Sequence, residues 1–207
     1  LELIEKYFPE LTDLQKEQFA KLGEAFIEWN SQINLVSRKD IDEFYTRHVL
    51  HSLAIAKAMK FAPSSKILDV GTGGGLPGLP LAILYPEVEF TLCDSIGKKI
   101  KAVNALIKSC GLKNVKAYHL RANEVPGTFD FIISRAVTRM NKFLPWVENK
   151  INSRCMNPWP NGILYLKGGD LSEELREVTR STEVIAISDW FSEDFFETKA
   201  VVYVRLQ

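Results

Sequence analysis

Hydrophobic and polar positions change their spacing near residue 62, and the chain divides there. Before that point the pattern is helical. Thr12 and Gln15 stand at the interval of a capping box, and behind them Phe19, Leu22, Phe26, Trp29 and Ile33 recur at steps of 3 and 4. One amphipathic helix is predicted over roughly Thr12 to Ile33, with Trp29 on its core side. A second is predicted from about Asp42 to Lys60, with Val49, Leu53 and Ala56 in phase and Pro63 closing it. Both stripes need a partner.

From Lys66 onward short β-rich runs alternate with helical segments. KILDV (66–70), VEFTLCD (88–94), NVKAYHL (114–120), FDFIIS (129–134) and GILYLKG (162–168) are the first five strand candidates. Alternation of this kind predicts a parallel, doubly wound sheet. A polar helix is expected at about Leu171 to Ser181. EVIAIS (183–188) and KAVVYVRL (199–206) follow with no room for a crossover helix, so they must form an antiparallel pair. Seven strands ending in such a pair resemble the Rossmann-like class I sheet of S-adenosylmethionine-dependent methyltransferases. The expected fold is therefore α/β, with an N-terminal helical extension over 1–62 packed on a methyltransferase domain over 63–207.

Composition narrows the setting. The 207 residues are 46% hydrophobic, and 26 Lys+Arg balance 26 Asp+Glu, an ordinary globular mixture. Three scattered cysteines, Cys93, Cys110 and Cys155, suit a reducing compartment and make neither a disulfide scaffold nor a Cys-x-x-Cys metal site. No run approaches a membrane span, and the acidic start, Glu2, Glu5, Glu10 and Asp13, is unlike a secretory signal. A cytoplasmic monomer is expected. The charge is unevenly placed: Lys98, Lys99, Lys101, Lys108, Lys113, Lys116 and Arg121 face only Glu124 between positions 98 and 124, whereas 170–207 holds nine acids against four bases. That basic run is either a solvated helix face or a footprint for a polyanion.

The candidate chemistry follows the first strand. ILDVGTGGGLPG (67–78) places Gly71, Gly73, Gly74, Gly75 and Gly78 where a backbone can pass close to a ligand. Gly73, Gly75 and Gly78 spell the dinucleotide fingerprint, but the glycine nearest the strand is Gly71, and counting from it puts Leu76 at the third position. Pro77 and Pro80 also shorten the helix start that would receive a pyrophosphate. Asp94, ending the second strand, can accept from both hydroxyls of a ribose, which serves NAD and S-adenosylmethionine alike. Asp69 either orients the glycine loop or merely bonds its amides. Asn123 either meets an adenine edge or caps the next helix.

Several methyl acceptors are disfavoured. The fourth strand ends Ser134-Arg135-Ala136 without the Asn/Asp-Pro-Pro-aromatic motif of amino methylation, and neither Cys110 nor Cys155 suits nucleophilic attack on a pyrimidine carbon. Asn157-Pro158-Trp159-Pro160 reads as a loop. The ordered set Trp29-Asn30, Asn34-Leu35, Arg47-His48, Ser52, DVGTGGGLPG, Asp94-Ser95, Gly97-Lys98-Lys99, Ser134-Arg135-Ala136 and Leu166-Lys167-Gly168 is similar to the bacterial 16S ribosomal RNA guanine methyltransferases called RsmG or GidB. The resemblance covers nearly the whole chain.

It implies methyl transfer from S-adenosylmethionine to ring nitrogen 7 of a guanine in 16S ribosomal RNA, as naked RNA, precursor particle or small subunit. It implies cofactor contacts at Gly71, Thr72, Gly73, Leu76, Ala122, Asn123 and Arg135, joined by Asp94, and substrate contacts at Asn34, Arg47, His48, Arg135, Lys167 and Lys199. His51, Asn123 and Thr198-Lys199 depart from the family's common residues. No metal is expected from His48 and His51, since His119 is the only other histidine. No general base is expected either, because nitrogen 7 already carries an available lone pair. The competing readings are an NAD(P)-dependent oxidoreductase and a non-catalytic nucleotide-binding module.

Overall fold

A computed structural model describes residues 1–37 and 39–207. The chain opens with a short helix, α1 (Glu2–Tyr7), that its spacing did not announce; Ile4 is fully buried, and the Tyr7 ring meets Phe191 edge-on at 4.7 Å. The longest helix, α2 (Asp13–Ile33), begins as the capping box requires. Thr12 Oγ1 accepts from the Gln15 amide at 3.3 Å while Gln15 Oε1 accepts from the Thr12 amide at 3.0 Å. Phe19, Leu22 and Phe26 are buried, and Trp29 and Ile33 are half-buried against the same core.

The second predicted helix is not one element. It comprises a 3-10 turn (Ile41–Glu43), a π-helical stretch (Phe44–Leu50) and α3 (His51–Ala58). Nor does it have a stripe: every residue from His48 to Ile55 is buried, since α3 lies against α4 (Gly78–Leu84) and the strands β5 (Gly162–Gly168) and β7 (Lys199–Arg205). A helix covered on all sides cannot be read from amphipathic spacing.

The remaining strands are β1 (Lys66–Val70), β2 (Glu89–Asp94), β3 (Val115–His119), β4 (Phe131–Arg135) and β6 (Thr182–Ala186). Their order is β3-β2-β1-β4-β5-β7-β6. The first five are parallel, and β7 runs antiparallel between β5 and β6. At the centre Asp69 is in register with Leu92 of β2 and Ile133 of β4. The chain leaves β1 toward β2 on one side and returns to β4 on the other, which opens a crevice at the carboxyl ends of these strands.

One apolar cluster joins α2, α3 and one sheet face, running from Ile4 through Phe26 to Val201. The other face carries a smaller cluster around α6 (Met140–Val147), including Leu68, Phe143 and Tyr165. The polar helix is only α7 (Ser172–Arg176), because Val178, Thr179 and Ser181 are weak helix formers. After β6 the chain turns at Ile187–Asp189, and buried Phe191 and Phe196 seal that end of the core. Asn157 is structural, its Oδ1 accepting from the Ala62 amide at 2.8 Å and the Ser65 hydroxyl at 3.0 Å.

Candidate active site

The glycine loop is built by two carboxylates. Asp69, fully buried at the end of β1, accepts with one oxygen from the Thr72 hydroxyl at 2.6 Å and the Gly78 amide at 2.8 Å. Asp94 accepts from the Gly73 amide at 2.9 Å and, with its other oxygen, from the Ile96 amide at 2.9 Å. The Gly71 and Thr72 amides donate to the Cys93 carbonyl at 2.9 and 3.0 Å. Both edges of the loop are thus tied to neighbouring strand ends. Gly71 has φ +68°, and a Cβ there would lie 2.4 Å from Val137 Cγ2. Gly74 lies beneath Phe26 and Leu35, so the exit of α2 supports the loop from the other side.

The facing wall is the segment after β4, and its supports are distant in sequence. The Tyr165 hydroxyl accepts from the Val137 and Thr138 amides at 3.0 and 2.9 Å and donates to the Thr138 carbonyl at 2.9 Å. Lys167 Nζ donates to that carbonyl at 2.6 Å and pairs with Glu174 at 2.8 Å, while Glu174 also accepts from the Met140 amide at 2.6 Å. Arg135 Nη1 donates to His48 Nδ1 at 3.1 Å. Burial holds His48 down at about 3, helped by the Arg135 charge, so the ring is a neutral acceptor. Burial likewise draws Arg135 down to about 10 and pushes Asp69 up to about 7, against the pull of Thr72, Gly78 and Arg135.

Between the walls lies a cleft of about 670 Å³. Gly71, Thr72, Gly73, Leu76, Asp94, Ala122, Asn123 and Arg135 all line it, so the expected cofactor residues converge from four strand ends. Asn123 is exposed and caps nothing; the cap at that turn is Glu124, whose carboxylate accepts from the Arg121 amide at 2.7 Å. Asp69 does not line the cleft and acts through the loop it bonds.

Of the residues expected on the substrate, Arg135 alone lines the cleft. Asn34 ends α2 in the left-handed conformation at φ 47°, with its amide donating to the Asn30 carbonyl. Arg47 is committed to Asp40 at 2.8 Å and Glu43 at 2.6 Å. His48 is spent on Arg135, Lys167 on Thr138 and Glu174, and Lys199 Nζ stands 4.9 Å from the Phe195 ring centre. His48 and Lys167 are thus engaged by partners far away in the chain, which their sequence positions do not reveal, whereas the Arg47–Glu43 pair is a local i,i+4 contact. Conversely, Leu35, Ile96, Lys99, Val137 and Trp146 line the cleft without having been singled out for it. Ile96 follows a strand end and was within reach of the open-sheet rule; Trp146, 44% exposed on α6, had no local signal.

The family model described as rRNA small subunit methyltransferase G matches residues 15–200. A Christiangramia forsetii protein named Ribosomal RNA small subunit methyltransferase G is 56% identical over 207 residues, covering 100% of this chain and 98% of its own. A protein of the same name from Bacteroides thetaiotaomicron is 48% identical over 206 residues, covering 100% of both. Among solved structures, a SAM-dependent methyltransferase from Aquifex aeolicus superposes with TM-score 0.58 at 14% identity, over 82% of this chain and 98% of that one. Precorrin-6y C5,15-methyltransferase from Geobacter metallireducens gives 0.55 at 11% identity, over 84% and 91%. At such identities the two structures speak for the fold alone.

Proposed function

The chain belongs to the rRNA small subunit methyltransferase G family, and from that premise we propose that it transfers a methyl group from S-adenosylmethionine to ring nitrogen 7 of a guanine in an exposed loop of 16S ribosomal RNA. The cleft suits this cofactor. At Gly73, φ +58°, a Cβ would meet no atom within 4 Å, so the loop offers bare backbone to a ligand. Gly71, Thr72, Gly73 and Leu76 hold the cofactor from the loop side. Asp94 keeps free lone pairs on both oxygens for the ribose hydroxyls, and Ala122 and Asn123 flank the adenine. Bound S-adenosylmethionine supplies the methyl group on a sulfonium sulfur.

The observation that carries the choice of acceptor is the lack of a base among the described residues that line the cleft. No histidine is there; His48 and His51 are buried, each with Nε2 enclosed and unbonded. Cys93 lines it, but burial pushes its thiol up to about 12. Asp94 is tied to two amides, and its remaining lone pairs are taken by the ribose in this reading. Such a site suits an acceptor that needs no deprotonation, and guanine nitrogen 7 has an in-plane lone pair ready for attack. The work left to the chain is alignment, which can supply several kcal/mol. Arg135, Lys99 and Arg121 orient the RNA or the cofactor's carboxylate, while His48 and Lys167 hold the walls behind them.

Labelled methyl transfer to protein-free 16S rRNA, precursor particles and small subunits, followed by mapping of the modified base, tests the reading. A single guanine methylated at nitrogen 7 is expected; label only in protein or DNA, or on an exocyclic amine, overturns it. In calorimetry with S-adenosylhomocysteine, Asp94→Ala should lose about 1.5 to 3 kcal/mol of affinity, and an unchanged value would remove Asp94 from the site.

A further inference from the structure

Beside the cleft the sheet has a second concavity. The link from β3 to β4 carries only a 3-10 turn (Ala122–Glu124) where a crossover helix would otherwise lie, so the sheet face beside β3 stays open. The result is a groove of about 410 Å³ whose walls include Thr91, Lys113, Lys116, Tyr118, Val125 and Pro126. Lys116 and Tyr118 are two apart on β3 and therefore share a face. Across the register they stand beside Thr91 and Cys93 of β2. Tyr118 is 39% exposed, and Lys113 and Lys116 are exposed too.

The floor is firm. Asn114 Nδ2 donates to the Ala82, Tyr85 and Val88 carbonyls at 3.0 to 3.1 Å, and Lys150 Nζ donates to the Val125 carbonyl at 2.6 Å. The groove also meets the cleft: Leu120, Arg121 and Ala122, directly beyond the end of β3, line the cleft, while Tyr118 and Val125 on either side line the groove.

We propose that this groove is a second docking site for the RNA substrate, taking an unpaired nucleotide whose base stacks on Tyr118 and whose flanking phosphates meet Lys116 and Lys113. Charge decides the occupant. Among the described residues none of the seven cations from Lys98 to Arg121 enters an ion pair, although the chain as a whole is neutral. A polyanion alone would use that run without competing against internal partners. An exposed aromatic ring beside unpaired lysines on an open sheet face matches how single-stranded RNA is held, by stacking and phosphate contact. Glu89 is the one acid on the walls, at the start of β2 and away from the cleft end, where it favours a base edge over a phosphate.

The inference rests on the RNA substrate argued above, so the wild-type chain is first assayed for methyl transfer to rRNA; failure there would remove that reading and this one together. Given transfer, equilibrium binding to protein-free 16S rRNA is measured for Tyr118→Ala, Tyr118→Phe and Lys116→Ala, with S-adenosylhomocysteine affinity as the control. Tyr118→Ala should weaken RNA binding roughly tenfold, Tyr118→Phe should restore it, and cofactor affinity should not move. Lys116→Ala should lower the slope of log affinity against log salt by about one. Wild-type RNA binding by Tyr118→Ala and Lys116→Ala, while Arg121→Glu still weakens it, would place the RNA elsewhere and overturn the proposal. So would variants that bind free rRNA normally but lose transfer on assembled subunits, since the groove would then serve a ribosomal protein.

Discussion

The two walls of the cleft are held by opposite strategies. The glycine loop is fastened by Asp69, close to it in sequence, reaching Thr72 and Gly78, and by the end of the adjacent parallel strand at Cys93 and Asp94. The β4 to α6 segment is fastened by Tyr165, Lys167 and Glu174, between 27 and 34 positions downstream of what they hold. A local wall depends on backbone shape, and its weak points are glycines. A distant wall depends on buried partners, and its weak points are polar groups whose removal orphans others.

The sharpest way to break the distant wall is Lys167→Met. Its ion pair with Glu174 is nearly enclosed, the side chains being 11% and 15% exposed. Removing one partner leaves the other charge buried, a loss of about 3 to 5 kcal/mol in urea unfolding. Adding Glu174→Met should recover much of it; no recovery would mean that Lys167 acts chiefly through Thr138. On the local wall Gly71→Ala should destabilise by about 2 to 4 kcal/mol, combining left-handed strain with the Val137 overlap. Gly73→Ala, in open space, should cost about 1 to 2 kcal/mol of stability but weaken cofactor binding by filling the cleft. Equal stability losses at the two glycines would refute the distinction.

Tyr165→Phe isolates one hydroxyl. It leaves the Val137 and Thr138 amides without their acceptor, and a loss of about 1 to 3 kcal/mol is expected by thermal or urea unfolding, with the cofactor KM rising more than kcat falls. The smallest effect at neutral pH concerns His48, which bridges the walls through Arg135. Its folded pKa, about 3, lies below the unfolded 6.5, so the unfolded chain binds the extra proton between those values. Its contribution is therefore complete above pH 6.5 and lost as pH falls toward 3. Asp69, raised from 3.8 to about 7, acts the other way and favours the folded state at the acid end of its window. Comparing His48→Asn with the parent separates them: the parent's advantage should shrink as pH drops below 6.5. The single-turnover transfer rate should stay flat from about pH 6.5 to 8.5, and a log-linear rise would reveal a base in the cleft.

Local information decided a great deal here. The capping box at Thr12, the strand periods and the crowd of glycines after β1 each act over a few residues, and each appears in the structure where its spacing put it. The last strand pair was legible because a short connection allows only antiparallel neighbours. The cofactor side of the cleft was legible for the same reason, since strand ends and the turns after them are the places an open sheet exposes. Tertiary structure decided what no spacing encodes. It surrounded His48–Ile55 on every side, erasing the stripe, and gave His48 and Lys167 partners that only folding supplies. It also brought Trp146 to the cleft and left the β3 face bare. A charged side chain's role depends on which opposite charge or carbonyl lies within about 3 Å, and that neighbour is chosen by the packing of the whole chain.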